Sequence, residues 1–247
     1  VHVRKVFIPF LIIFIAMAGC SNSPAAEVQI YNHLEKAVEL EEEFRNQQQP
    51  IVELEKQEQE LYNKIIDLSM EEFDQIKKLS QQAMELVEKR QEKLKLEKES
   101  IEAAQEEFEK IKPLIDELGE EQAKAKEIAQ KLYDTMIKRY EAYDELFKSY
   151  QEAIKLDKEL YKMLQQKDLT QEELQKHIEK VNQSYSKVIE ANKKFNEHTN
   201  TYNQLKKEFY KAAGLNVEYE EQNNGEAEQS DSDSTNEKEG NTSENKN

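Results

Sequence analysis

Few side chains in this sequence have the means to do chemistry. The chain holds one cysteine, Cys20. A thiolate alkylates readily where a serine hydroxyl does not, so Cys20 is a candidate for covalent modification. The histidines beyond the N-terminal segment are His33, His177 and His198, and none forms a His-x-x-x-His pair. His177 and His198 share a helical face but stand three heptads apart, roughly 30 Å by helical rise, too far to hold one metal. All three read as exposed or edge-of-core residues. There is no Gly-rich phosphate loop and no Gly-x-Ser-x-Gly elbow. The sequence therefore predicts no catalytic residue, no metal site and no cofactor. Tyr140, Tyr143 and Tyr150 lie close together at helical spacing. They would make an aromatic platform for sugar rings if exposed. The favoured reading is a bundle core whose hydroxyls reach the rim. Arg90, Glu97 and Asp157 interrupt apolar lines. They would form either a buried polar network or, the favoured reading, solvated edges and register devices.

The surroundings of Cys20 say what its chemistry would be. Arg4 and Lys5 precede an apolar run from Val6 to Ala18, and small residues lead into the cysteine. That is the layout of a secretory signal peptide. At about 14 residues the run is short of the about 20 that a transmembrane helix needs. Met17, Ala18, Gly19 and Cys20 look like a bacterial lipobox, with methionine where leucine is usual. In that motif the thiol takes a diacylglyceryl group and cleavage leaves the modified cysteine first. Two or three acyl chains on one residue meet the need for more than one chain in a stable anchor. The expectation is a signal peptide over 1–19 and a lipidated tether over 20–26, holding the protein to the extracytoplasmic face of the cell membrane.

Beyond the tether the chain is patterned as long helices, predicted as a helical domain over 27–214. A first helix runs to about Leu68, with an expected kink or short break at Pro50 and a register shift near Leu40. Ser69 and Glu72 make a capping box opening a second helix to Leu118, which Gly119 would close with positive φ. A third spans about Glu120 to Lys167, its heptad line formed by Tyr133, Tyr140, Phe147, Ile154 and Tyr161. Leu132, Leu146 and Leu160 widen that stripe to the breadth of a bundle core. Thr170 and Glu173 cap a fourth helix ending at Gly214. Four rods of about 45 residues joined by short turns predict an all-α, elongated up-and-down bundle. A three-helix spectrin-like packing or a splayed coiled-coil hairpin competes with it. Residues 215–247 are Glu, Asn, Ser, Asp and Gly with almost no apolar side chains. They predict a disordered acidic tail.

Composition narrows the function further. Apart from Arg4 and Lys5, 33 basic side chains stand against 52 acidic ones, a net charge of −19. Such a chain repels nucleic acid and anionic headgroups, so no nucleic-acid partner is expected. Scarce Gly and Pro disfavour sheet-rich and α/β enzymes. Abundant Lys, Glu, Asn and Gln without Trp suggest an AT-rich genome, and with it a Gram-positive bacterium.

A lipobox, about 190 residues of Glu/Lys-rich helix with a tyrosine-rich third segment, and an acidic tail resemble the YkyA-like family. These are cell-wall binding lipoproteins of Bacillus and Staphylococcus. The resemblance implies a helical bundle at the outer face of the cytoplasmic membrane with a wall-binding role. It implies partners of two kinds: the membrane through Cys20, and the cell wall or a wall-associated protein. The expected function is a non-enzymatic surface lipoprotein binding peptidoglycan or wall-associated protein. The alternative is a helical adaptor or spacer positioning a wall hydrolase or membrane complex.

Overall fold

A computed structural model describes residues 24–217. The signal segment, the lipobox and Cys20 lie outside the described residues, and so does the acidic tail from residue 218 on. The described part of the compact unit ending at Asn216 is helix and turn, arranged as four rods.

The first rod is broken in two, α1 (Ala26–Leu40) and α2 (Glu42–Ile66). The expected break at Pro50 is absent, because α2 passes through that proline. One missing donor does not end a helix whose face is held by buried Gln47 and Ile51 on either side. The interruption falls at Glu41, and a neighbouring rod causes it. The Ser100 hydroxyl donates to the Leu40 carbonyl at 2.5 Å and accepts from the Phe44 amide at 3.0 Å. A hydroxyl thus stands where the Phe44 to Leu40 rung would be, and an inserted side chain of this kind bends a helix.

The second rod is α3 (Phe73–Phe108) followed by α4 (Ile111–Glu117). A single 3-10 turn over Met70–Glu72 leads into it, and the Ser69 amide donates to the Glu72 carboxylate at 3.2 Å. The predicted continuous helix to Leu118 is interrupted at Glu109 and Lys110. Pro113 explains the position, because a proline ring clashes with the carbonyl four residues earlier, here that of Glu109. Gly119 differs from expectation. Its φ is −70°, and it opens the next 3-10 turn instead of closing the helix in the left-handed region. Positive φ belongs to Gly214, at +69°.

The third and fourth rods are α5 (Ala123–Met163) and α6 (Gln171–Ala212). Thr170 caps α6 reciprocally with Glu173: the Glu173 amide donates to the Thr170 hydroxyl at 3.3 Å, and the Thr170 amide to the Glu173 carboxylate at 3.0 Å. α5 packs along α6, α2 along α3, α1 on α3 and α4, and α3 on α5. Side chains close the ring between α1 and α6. The Tyr210 hydroxyl donates to Glu35 at 2.6 Å, and its ring meets Tyr31 edge-on at 5.1 Å. Neither α1 nor α2 packs its backbone closely along α6; Phe44 at the start of α2 meets Phe195 of α6 at 5.7 Å, and beyond it the two helices part. The fold is an up-and-down bundle of four rods, closed at the α1 end and parted between α2 and α6.

Candidate functional site

The parting of α2 and α6 leaves a cleft of about 620 Å³. Its floor comes from heptad positions in three of the rods where the sequence puts a charge among apolar residues. On α2 the line reads Ile51, Glu58, Ile65, all buried. On α3 it reads Ala83, Arg90, Glu97, Ala104, again all buried. On α5, Tyr143 and Tyr150 are followed by Asp157. Apolar turns on both sides fix the helix rotation, so the charges must point inward.

Arg90 is the centre, with its side chain 2% exposed. One terminal nitrogen donates to Asp157 and lies 3.3 Å from Glu58. The other lies 3.7 Å from Glu55. The guanidinium sits over the rings of Tyr150 and Tyr185, 5.5 and 5.9 Å from their centroids. Those phenols complete the network: Tyr185 donates to Asp157 at 2.6 Å and Tyr150 donates to Glu55. Burial opposes the Arg90 charge, and Tyr185, Glu58, Tyr150 and Asp157 together outweigh it, so its pKa rises.

The acids respond differently. Burial pushes Glu58 up to about 7; Arg90 and Tyr161 pull it down, Asp157 and Glu55 push it further up. Burial likewise raises Glu97 to about 8, with the Gln48 amide pulling down and Glu55 pushing up. Burial lifts the Tyr150, Tyr161 and Tyr185 hydroxyls, so all three remain neutral donors. The site can thus hold or release protons near neutral pH while keeping a fixed cation. Among the described residues, no group of three His, Cys, Asp or Glu side chains is arranged to hold a metal ion.

The residues singled out from sequence fall in different places. Arg90, Glu97 and Asp157 are buried within this one cleft, not solvated edges. Tyr140, Tyr143 and Tyr150 are all buried, which leaves no exposed three-ring platform. Tyr143 and Tyr150 line the cleft, and Tyr140 packs elsewhere, against Phe108 at 5.9 Å. His177 is buried, its Nε2 2.8 Å from the Leu156 carbonyl, and His33 meets Glu107 at 2.7 Å. Glu55, Glu58 and Tyr185 were not anticipated as site residues. Heptad spacing carries a signal for Glu58, seven from both Ile51 and Ile65. No such signal marks Glu55, which reaches in from the edge.

A family model described as "YkyA: Putative cell-wall binding lipoprotein" matches residues 25–212. The fold is similar to a 1.6 Å crystal structure of a conserved protein of unknown function from Staphylococcus aureus. The TM-score is 0.63 at 18% identity, over 77% of this chain and 98% of that one. No curated protein matches the sequence. Among the described residues no helix is long and apolar enough to cross a membrane.

Proposed function

The chain belongs to the YkyA family of lipoproteins, described as putative cell-wall binding, and from that membership we propose that it is a non-enzymatic wall-binding module whose ligand enters the cleft between α2 and α6. Cys20 carries the lipid that holds it to the extracytoplasmic face of the cell membrane, with Met17, Ala18 and Gly19 as the processing site. The bundle then presents the cleft to the wall. The observation that supports this reading is the cleft itself. A volume of 620 Å³ falls within the about 300–1,000 Å³ of small-ligand sites. Two parted helices line it over aromatic rings and a polar floor.

Sedimentation with purified peptidoglycan tests the wall reading. The wild-type protein is expected in the pellet. Asn182→Trp, a bulky change at an exposed position on the cleft lining, is expected in the supernatant with an unaltered melting curve. Wild-type protein that stays soluble with the wall would favour the adaptor reading instead. Detergent partitioning tests the anchor: Cys20→Ala is expected to lose the amphiphilic fraction, and unchanged partitioning would end that part of the proposal.

A further inference from the structure

The cleft is long and its mouth is free of charge. Its lining runs from Gln48 to Tyr62 on α2 and from Ile178 to Asn192 on α6. Either wall is about 21 Å long by helical rise, so the volume of 620 Å³ is drawn out into a slot for a single chain. Gln48, Val52, Gln59, Asn182, Ile189 and Asn192 are the exposed residues of the lining. None is charged, in a chain where 35% of residues are. The exposed residues just outside the slot keep to the general pattern, with Glu53 and Lys56 on α2 and Glu190 and Lys193 on α6. Uncharged side chains are thus confined to the faces that border the opening.

The floor adds an independent requirement. Arg90 and Tyr143 both line the cleft, 2% and 1% exposed, and the Arg90 Nε and the Tyr143 hydroxyl have no hydrogen-bond partner. Arg90 Nε can only donate, so it calls for an acceptor. That acceptor must be neutral, because Asp157 and Glu58 already hold the guanidinium and an anion would face both acids. The two donors are not neighbours. Arg90 lies over Tyr150, and Tyr143 is two helical turns further along α5, about 10 Å. The ligand therefore offers neutral acceptors at separated points along an extended chain.

Chain chemistry follows from what the walls lack. Extended peptides are held by the free main chain of a sheet edge, and docked helices by an apolar floor. Here the walls are helices and the floor is polar. A saccharide needs neither. Its hydroxyl and acetamido groups pair with side-chain amides, which both donate and accept, and its C–H faces lie on aromatic and aliphatic surface. Tyr62 and Tyr185, half-buried, and Val52 and Ile189, 55% and 71% exposed, supply that surface.

We propose that the cleft binds an uncharged, acetamido-bearing saccharide chain along its length, with carbonyls accepting from Arg90 Nε and the Tyr143 hydroxyl. The proposal rests on the reading of the cleft as the wall-binding site and names the part of the wall that enters it: the glycan, and neither the peptides nor an anionic polymer.

Calorimetric titration of the full chain with chitotetraose, the uncharged tetramer of N-acetylglucosamine, decides it, with cellotetraose as the tetramer that has no acetamido groups. Chitotetraose is expected to bind, and cellotetraose about tenfold or more weaker, as for the loss of a hydrogen bond to a buried donor. Tyr143→Phe removes one unpartnered hydroxyl and keeps the ring. It is expected to weaken chitotetraose about tenfold without lowering the melting temperature, which a merely structural hydroxyl would not do. Should that variant not fold, the two tetramers on the wild-type chain still decide. Equal binding of both tetramers, or binding untouched by Tyr143→Phe, overturns the proposal. Sedimentation with peptidoglycan separates it from the reading beneath it. Sedimentation without chitotetraose binding overturns the saccharide proposal and leaves wall binding standing. Chitotetraose binding without sedimentation overturns the wall as the source and leaves the saccharide site in place, and absence of both overturns both.

Discussion

Two buried arginines, one in each half of the bundle, solve the same problem in opposite ways. Arg139 on α5 has every nitrogen engaged. Its two terminal nitrogens donate to the Glu41 carboxylate at 2.6 and 2.8 Å, its Nε donates to Thr199 at 2.8 Å, and its face lies 4.6 Å from the Phe195 centroid. Aromatic rings pack around it, with Phe44 5.7 Å from both Tyr143 and Phe195. One cation meets one acid and the rods close over them. Arg90 has an idle Nε, several acids competing for it, and a cleft in front of it. A buried pair stabilises only when geometry and hydrogen bonds are complete. By that criterion the Arg139–Glu41 pair is complete, while Arg90 keeps an idle Nε beside the cleft; the closed half has its own unpartnered atoms in the hydroxyls of Tyr140 and Tyr202.

The sharpest way to break the contrast is to remove each arginine. Arg139→Met strands Glu41 in a closed interior and should cost about 3–5 kcal/mol. Arg90→Met should cost less, about 1–2 kcal/mol, because Glu58 can sit neutral beside the cleft and Asp157 keeps the Tyr185 hydroxyl as a donor at 2.6 Å. Chemical denaturation of both variants near pH 6.5 measures the difference, and equal losses would mean the halves are energetically alike.

The aromatic residues offer the same comparison without charge. Phe195 is 4% exposed among the rings of the closed half. Phe195→Ala should cost about 3–5 kcal/mol through the cavity it leaves. Phe147 is only partly buried against the core beside the cleft. Phe147→Ala should cost about 1–2 kcal/mol, since less apolar surface is lost from burial. Reversal of that order in urea melts would show the parted half to be the better packed one.

Protons divide the halves too. An acid whose pKa is raised in the fold binds its proton more tightly folded than unfolded. The stabilisation is complete below the ordinary value of 4.5 and is lost as pH rises through about 7 for Glu58 and about 8 for Glu97. The melting temperature should therefore fall between about pH 5 and pH 9. Combining Glu58→Gln with Glu97→Gln should flatten most of that slope, and a slope unchanged in the double variant would place its origin elsewhere.

The rods themselves were legible in the sequence because period and caps act locally. Capping pairs at Ser69–Glu72 and Thr170–Glu173, and the glycine at 214, sit where the pattern put them. The break at Glu109 and Lys110 has a local cause in Pro113, and the one at Glu41 falls at the register shift near Leu40, but the cause of that second break is tertiary. Pro50 carries the local signal and the helix runs on; Ser100, 56 residues from Phe44 along the chain, makes the actual interruption. The polar floor was half legible. A charge on an apolar heptad line shows that the residue faces inward, as at Arg90, Glu97 and Asp157. It does not show that three rods place theirs at one height, which depends on axial register between helices. Arg139 illustrates the same limit, lying between Leu132 and Leu146 on a line read as apolar. Its burial follows from spacing, but its partner Glu41, 98 residues away, does not.

The smallest expected effect sharpens the comparison at its edge. Ile189 projects from α6 at the cleft mouth and is 71% exposed, the most exposed large apolar side chain among the described residues. A surface change of this kind normally moves stability by no more than about 0.5 kcal/mol. Ile189→Ser should leave the melting curve of the protein where it is, since little apolar surface there is buried to begin with. If the mouth serves only to shed water from the core, wall sedimentation should also be unchanged. If Ile189 and Val52 hold the ligand between them, the serine variant should sediment measurably less than wild type, and Val52→Ser should match it. A variant that melts normally and binds poorly would assign the exposed isoleucine to recognition. One that melts several degrees lower would show that α6 packs on α2 in solution and that the cleft is closed.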